Sequence, residues 1–215
     1  MLKRRLAVTI VAIALVLACA GCGKTETWIF DFATASETED WVHEEYDDGS
    51  ATLVTDMGLK LDNHSVCSPV AFTGDFTVTV DLFLDTDASN CAYFECYICD
   101  GQFWEPDNMI FSCFENIGTD DDGESLMVTD EGPDRRTEVA GGFGPIPNIV
   151  RKGDNVWKLS KTGDYYVISL NGYRIAKFVS KECRSDKYYI GLYGYSYGGD
   201  VWFKKVKVDY KGSMI

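Results

Sequence analysis

Apolar and polar side chains alternate with a period of two along much of the chain, most clearly in its last third. Between Val156 and Lys161, Trp157 and Leu159 fall on one side and Lys158 and Ser160 on the other, the pattern of a half-buried strand. Thr162-Gly163-Asp164 supplies a turn, and Tyr166, Ile168 and Leu170 mark the apolar face of a second strand, Tyr165 to Leu170. Asn171-Gly172 follows, a strong hairpin signal because a type I′ turn needs positive φ at both central residues. Tyr173 to Val179 is the returning strand, and Tyr188 to Tyr193 and Val201 to Asp209 extend the series. Asp75 to Asp85 is the cleanest strand, with Phe76, Val78, Val80, Leu82 and Leu84 on one face. Further strands are predicted at Trp28 to Phe32, at Cys91 to Asp100, at Asn108 to Glu115, and in a hairpin of Ser50 to Thr55 with Gly58 to Leu61. No helical stripe interrupts the closing strands, so the pattern predicts an all-β, two-sheet antiparallel β-sandwich in a single domain. Ile117 to Asn155 reads as a long irregular excursion, with Leu126 to Thr129 as a short strand inside it.

The series Trp157-Lys158-Leu159, Lys161-Thr162-Gly163-Asp164, Leu170-Asn171-Gly172 and Ala176-Lys177-Phe178 resembles the closing strands of the concanavalin A-like lectin/glucanase superfamily, laminin G-like domains included. The resemblance implies a jelly-roll sandwich in which a late strand similar to Val201 to Val208 packs beside the first strand. It also implies one concave sheet, at which several members bind carbohydrate, on the sheet or in the loops at its rim. These motifs are structural, so they speak to fold more than to activity.

The first residues carry a different signal. Lys3, Arg4 and Arg5 precede an apolar run from Leu6 to Leu17, too short for a typical transmembrane helix and suited to a signal peptide. It ends in Leu17-Ala18-Cys19-Ala20-Gly21-Cys22-Gly23, which resembles a bacterial lipobox, where a cysteine thiol is lipidated and becomes the mature N-terminus. Cys19 has the aliphatic residue three places before it; Cys22 has the Ala-Gly-Cys core and leaves an even number of cysteines behind it. The expected organisation is a leader over 1–22, a tether over 23–27 and one sandwich over 28–215, lipid-anchored outside the cytoplasm at a bacterial cell envelope. The formal net charge of −14 becomes −17 once the three basic leader residues are gone, which disfavours nucleic acid and anionic headgroups as partners.

Cys67, Cys91, Cys96, Cys99, Cys113 and Cys183 remain, in a chain whose export permits disulfides. A hairpin of the strands beginning at Cys91 and Asn108 would bring Cys96 near Cys113; the alternative is buried free thiols acting as small apolar residues. The Cys96-x-x-Cys99 spacing has no second pair to complete a zinc site.

Three constellations carry candidate chemistry. Tyr93, Glu95 and Tyr97 share a strand face, Tyr189, Tyr193, Tyr195 and Tyr197 alternate near the C-terminus, and Phe103 and Trp104 sit in a loop. Aromatic rings beside carboxylates suit a sugar, whose C–H face packs on a ring while its hydroxyls bond the carboxylates. The same tyrosines could instead cover the sheet or fill its core. Glycoside hydrolysis needs two carboxylates flanking the bond. Tyr93-Phe94-Glu95-Cys96-Tyr97 departs from the E-x-D-x-E strand of the resembled glucanases, and Asp81 is a further candidate to face Glu95. No catalytic residue is assigned. Asp120, Asp122 and Glu124 offer hard oxygens at a spacing suited to structural Ca²⁺, and Asp85, Asp87 and Asn90 form a second oxygen cluster. His43 and His64 lack a nucleophile context and read as surface residues. The function expected is non-catalytic carbohydrate or envelope-glycan binding. The rivals are a protein-interaction or adhesion module and a glycoside hydrolase without the usual motif.

Overall fold

The computed structural model describes residues 24–32, 40–45, 51–102, 107–118 and 123–215. Every regular element among them is a strand. They are β1 (Glu26–Asp31), β2 (Val42–Glu45), β3 (Ala51–Thr55), β4 (Gly58–Asp62), β5 (His64–Cys67), β6 (Phe72–Thr73), β7 (Phe76–Asp85) and β8 (Cys91–Cys99), followed by β9 (Met109–Ile117), β10 (Ser125–Gly132), β11 (Arg135–Phe143), β12 (Lys152–Thr162), β13 (Tyr165–Leu170), β14 (Tyr173–Val179), β15 (Lys187–Tyr197) and β16 (Asp200–Tyr210).

The strands form two antiparallel sheets packed as a sandwich. The first runs β14-β13-β12-β7-β16-β4-β3, with β1 also on β16; the second runs β11-β10-β9-β8-β15-β5-β2, with β6 also on β15. Alternation decides which side chains meet between the sheets. Val78, Val80, Leu82 and Leu84 of β7, Trp157 and Leu159 of β12, and Val206 and Val208 of β16 face Phe94 and Ile98 of β8 and Ile190 and Leu192 of β15, all fully buried. Each such side chain contributes roughly 1.5–3 kcal/mol through burial. Asn171 and Gly172 adopt φ of 48° and 78°, so the β13–β14 hairpin turns as the dipeptide demands. β16 lies beside β1, with Trp28 opposite Val208, the closure that the family resemblance implied.

Several expectations need correction. The stretch read as irregular between Ile117 and Asn155 contains the β10–β11 hairpin. β11 is an edge strand whose half-exposed sequence, Arg-Arg-Thr-Glu-Val-Ala-Gly-Gly-Phe, shows little alternation. β1 begins at Glu26, inside the stretch read as tether. Cys96 pairs with Ser112 and Cys113 with Glu95, so Cys96 enters the main core while Cys113 points out of the sandwich. One residue of register places the two thiols on opposite faces. All six cysteines in the described residues are free thiols. Asp81 lies on the first sheet and Glu95 on the second, each pointing away from the core, so they do not face each other. His64 is buried, with Nε2 3.0 Å from His43 Nδ1, rather than at the surface.

Candidate functional site

The site is built on the outer face of the second sheet, where β8 and β15 lie side by side. Pairing places Tyr93 opposite Tyr195, Glu95 opposite Tyr193, Tyr97 opposite Gly191 and Cys99 opposite Tyr189. These residues alternate with core residues, so they share the outward face. Together with β9 and β5 they form a second, smaller apolar layer of Cys67, Tyr97, Cys99, Phe111 and Cys113, flanked by Tyr93, Met109, Met127, Tyr189 and Tyr193.

The tyrosines singled out in the sequence divide by exposure. Tyr97 is buried: its ring lies across Gly191 and its hydroxyl is 2.7 Å from Ser65 Oγ. It floors the face rather than offering a ring to a ligand. Tyr93 is half-buried, meets Tyr193 edge-on at 5.5 Å and donates its hydroxyl to Glu95. Tyr193 in turn donates to Asn63 Oδ1 at 3.0 Å. Tyr189 is half-buried beneath the Lys187 ammonium, 5.7 Å from the ring centre. Tyr195 and Tyr197 pack together at 4.5 Å, and Tyr197 is exposed. Phe103, Trp104, Asp120, Asp122, Cys19 and Cys22 lie outside the described residues.

Glu95 is a buried carboxylate of this face, 4% exposed, and its Oε2 has no hydrogen-bond partner among the described residues. Burial is the main cause that pushes its pKa up to about 7; Glu115 and Glu131 add to the rise, while the Tyr93 hydroxyl and Arg136 oppose it. Burial likewise holds the Tyr93 phenol well above its ordinary range, so it stays a donor.

A row crosses five strands beside Glu95. Tyr195 pairs with Tyr93, the β-bulge next to Tyr93 brings it alongside Glu115, Glu115 pairs with Ser125, and Ser125 pairs with Phe143. Ser125 Oγ donates to Glu115 Oε2 at 2.7 Å. Phe143 is 91% exposed, an unusual position for a Phe, and it borders a cleft of about 200 Å³ lined also by Glu115, Ser125, Met127 and Glu138. Phe143 and Glu115 were not singled out in the sequence. The available signal was an aromatic bracketed by Gly142, Gly144 and Pro145, a context that cannot bury it.

Of the expected oxygen clusters, Glu124, Asp85, Asp87 and Asn90 fall within the described residues. Glu124 is fully buried and accepts from Gly118 N at 3.2 Å, Ile146 N at 3.0 Å and Arg151 Nε at 2.7 Å. Asp87 Oδ1 caps its own turn through Ser89 and Asn90, and Asp85 pairs with Lys152 at 3.2 Å. Among the described residues no three His, Cys, Asp or Glu side chains converge as metal ligands. A larger cleft, about 420 Å³, opens on the outer face of the first sheet, lined by Asp31, Asp56, Asp81, Asp154, Lys204 and Lys205 among others; no aromatic ring lines it, and Lys204 closes on Asp154 at 3.0 Å.

No protein-family model matches the chain. No curated protein matches it either. Solved structures match in fold. A Bacillus subtilis protein of unknown function with a galectin-like fold is 13% identical, over 86% of this chain and 98% of that one, with a TM-score of 0.61. The carbohydrate recognition domain of Emp46p, in its potassium-bound form, is 10% identical over 86% of this chain and 97% of that one, with a TM-score of 0.65. The Crh5 transglycosylase in complex with NAG is 12% identical over 86% of this chain and 84% of that one, with a TM-score of 0.54. At such identities the likeness is one of fold: the chain is a two-sheet antiparallel β-sandwich with a galectin-like fold.

Proposed function

We propose that the sandwich is a non-catalytic glycan-binding module, and that a lipid on Cys22 or Cys19 holds it outside the cytoplasm at a bacterial cell envelope. The observation that carries the binding reading is the row Tyr195, Tyr93, Glu115, Ser125, Phe143 on the outer face of the second sheet. At about 4.8 Å per strand it spans ~19 Å, room for several sugar rings. Exposed rings stand at its two ends, Tyr197 beside Tyr195 and Phe143 beyond Ser125, and a carboxylate and hydroxyls lie between them. That is the arrangement a sugar requires: rings for its C–H faces and fixed acceptors for its hydroxyls. The fold supports the reading, since domains of similar shape include a carbohydrate recognition domain. The leader supports the anchoring reading through its basic start, short apolar run and lipobox-like end.

One observation favours the hydrolase alternative: Glu95 has the raised pKa of a general acid and lies near a second carboxylate, Glu115. Against it, Glu95 is 4% exposed and capped by Tyr93, so a glycosidic oxygen does not reach it while Tyr93 stays in place.

The test is a glycan array probed with the wild-type protein and with Phe143→Ala and Tyr195→Ala variants. Binding that both variants weaken about tenfold or more, a loss of ~1.4 kcal/mol each, supports the reading. Absence of binding to every glycan would shift the role to a protein-interaction module. Turnover of a bound glycan would establish the hydrolase.

A further inference from the structure

Two thiols on the outer face of the second sheet approach each other and are not bonded. Cys67 ends β5 and Cys99 ends β8, and their Sγ atoms stand 4.0 Å apart, both residues buried. β15 runs between the two strands: Gly191 pairs with Cys67 and Tyr189 with Cys99. The two backbones are therefore about two strand spacings apart, ~9.6 Å. Disulfides usually need Cα atoms within about 6.8 Å.

The surroundings are soft rather than hard. Met109 pairs directly with Cys99 from β9 and packs on the same buried cluster. Thiolate and thioether sulfur select soft d¹⁰ cations, whereas calcium and magnesium take oxygen. The spacing also fits. With metal–sulfur bonds of ~2.3 Å, sulfurs 4.0 Å apart subtend an angle of about 120° at an ion between them. That is a trigonal angle, and it leaves one position for a third sulfur.

We propose that Cys67 and Cys99, with the thioether of Met109 as third donor, form a binding site for a soft monovalent cation, Cu(I). The site is separate from the glycan-binding reading and does not rest on it. Binding displaces the two thiol protons, so charge balances as one monovalent ion enters and two protons leave, giving a complex one unit more negative than the reduced protein. The Cys99 thiol also donates to Gly101 O at 3.0 Å, a bond that ion binding would release.

The test uses the full chain in detergent, reduced and kept anaerobic, titrated with Cu(I) against a chromophoric Cu(I) chelator. The expected result is one tightly held Cu(I) that a Cys67→Ser/Cys99→Ser double variant loses and a Cys183→Ser variant keeps. X-ray absorption should show a sulfur-only shell. Met109→Leu should weaken binding several-fold and decides the matter if the double variant fails to fold by circular dichroism. Undiminished binding in both Met109→Leu and the double variant would overturn the proposal. So would a Cys67–Cys99 disulfide peptide recovered from the oxidised chain.

Discussion

The ring of Tyr97 lies across the backbone of Gly191, in the space that a side chain on β15 would otherwise fill. A β-carbon at Gly191 would overlap the Tyr97 ring itself. The smallest residue on one strand thus seats the buried aromatic on the next, and the Tyr97 hydroxyl is fixed at 2.7 Å from Ser65 Oγ on the far side of β15. Gly191→Ala should expel the ring and break that bond. Overpacking of this kind costs roughly 1–3 kcal/mol. A urea unfolding curve should show a loss of about 2 kcal/mol; an unchanged midpoint would mean that the ring does not depend on Gly191.

Glu95 makes stability depend on pH. Its folded pKa of about 7 lies above the ordinary carboxylate value of 4.5, so the folded state binds the proton more tightly than the unfolded chain. Its contribution is therefore fully present below pH 4.5 and lost as pH rises through 7. The difference amounts to as much as about 3 kcal/mol. Glu95→Gln cannot ionise and should keep its stability across that window. Parallel unfolding curves for wild type and variant, with no divergence between acid and neutral pH, would contradict the assignment.

Glu124 ties three segments together through Gly118, Ile146 and Arg151. Removing a buried carboxylate from such a set leaves its donors unpaired, at a cost of about 3 kcal/mol or more. Glu124→Ala should lower the thermal midpoint below that of Arg151→Ala, since the carboxylate keeps its two backbone donors, Gly118 and Ile146, when Arg151 is lost. Equal losses would place the carboxylate's role in the ion pair alone.

The lipid is tested on the full chain. Expression in a bacterium fed a labelled fatty acid should label the wild type, and either Cys22→Ser or Cys19→Ser should abolish the label. Retention of the label in both single variants, or its absence from the wild type, would remove the anchor.

The sandwich was legible because its central strands bury one face. Phe76 to Leu84 and Tyr165 to Leu170 alternate without fault, and Asn171-Gly172 marks its own turn. The edges were not legible. β11 buries little, so nothing in its sequence enforces a period, and of its hairpin with β10 the sequence marks only Leu126 to Thr129 as strand. The shared face of Tyr93, Glu95 and Tyr97 followed from alternation alone, but which ring stays open did not. Tyr97 is buried because Gly191, on another strand, has no side chain. Such a relation needs the register between β8 and β15, and a one-residue change of register reverses it, as it did for Cys96 and Cys113. Phe143 was missed for the opposite reason: its exposure comes from sitting at the sheet edge among glycines.

The central claim is that the outer face of the second sheet binds glycan along the row ending at Phe143. The most direct measurement is a calorimetric titration of the tightest array ligand against wild type, Phe143→Ala and, as a control on the opposite sheet, Val156→Ala. The expected result is an affinity loss of about tenfold or more for Phe143→Ala, with an unchanged melting temperature, and none for Val156→Ala. Equal affinity for all three proteins, or a loss confined to Val156→Ala, would contradict it.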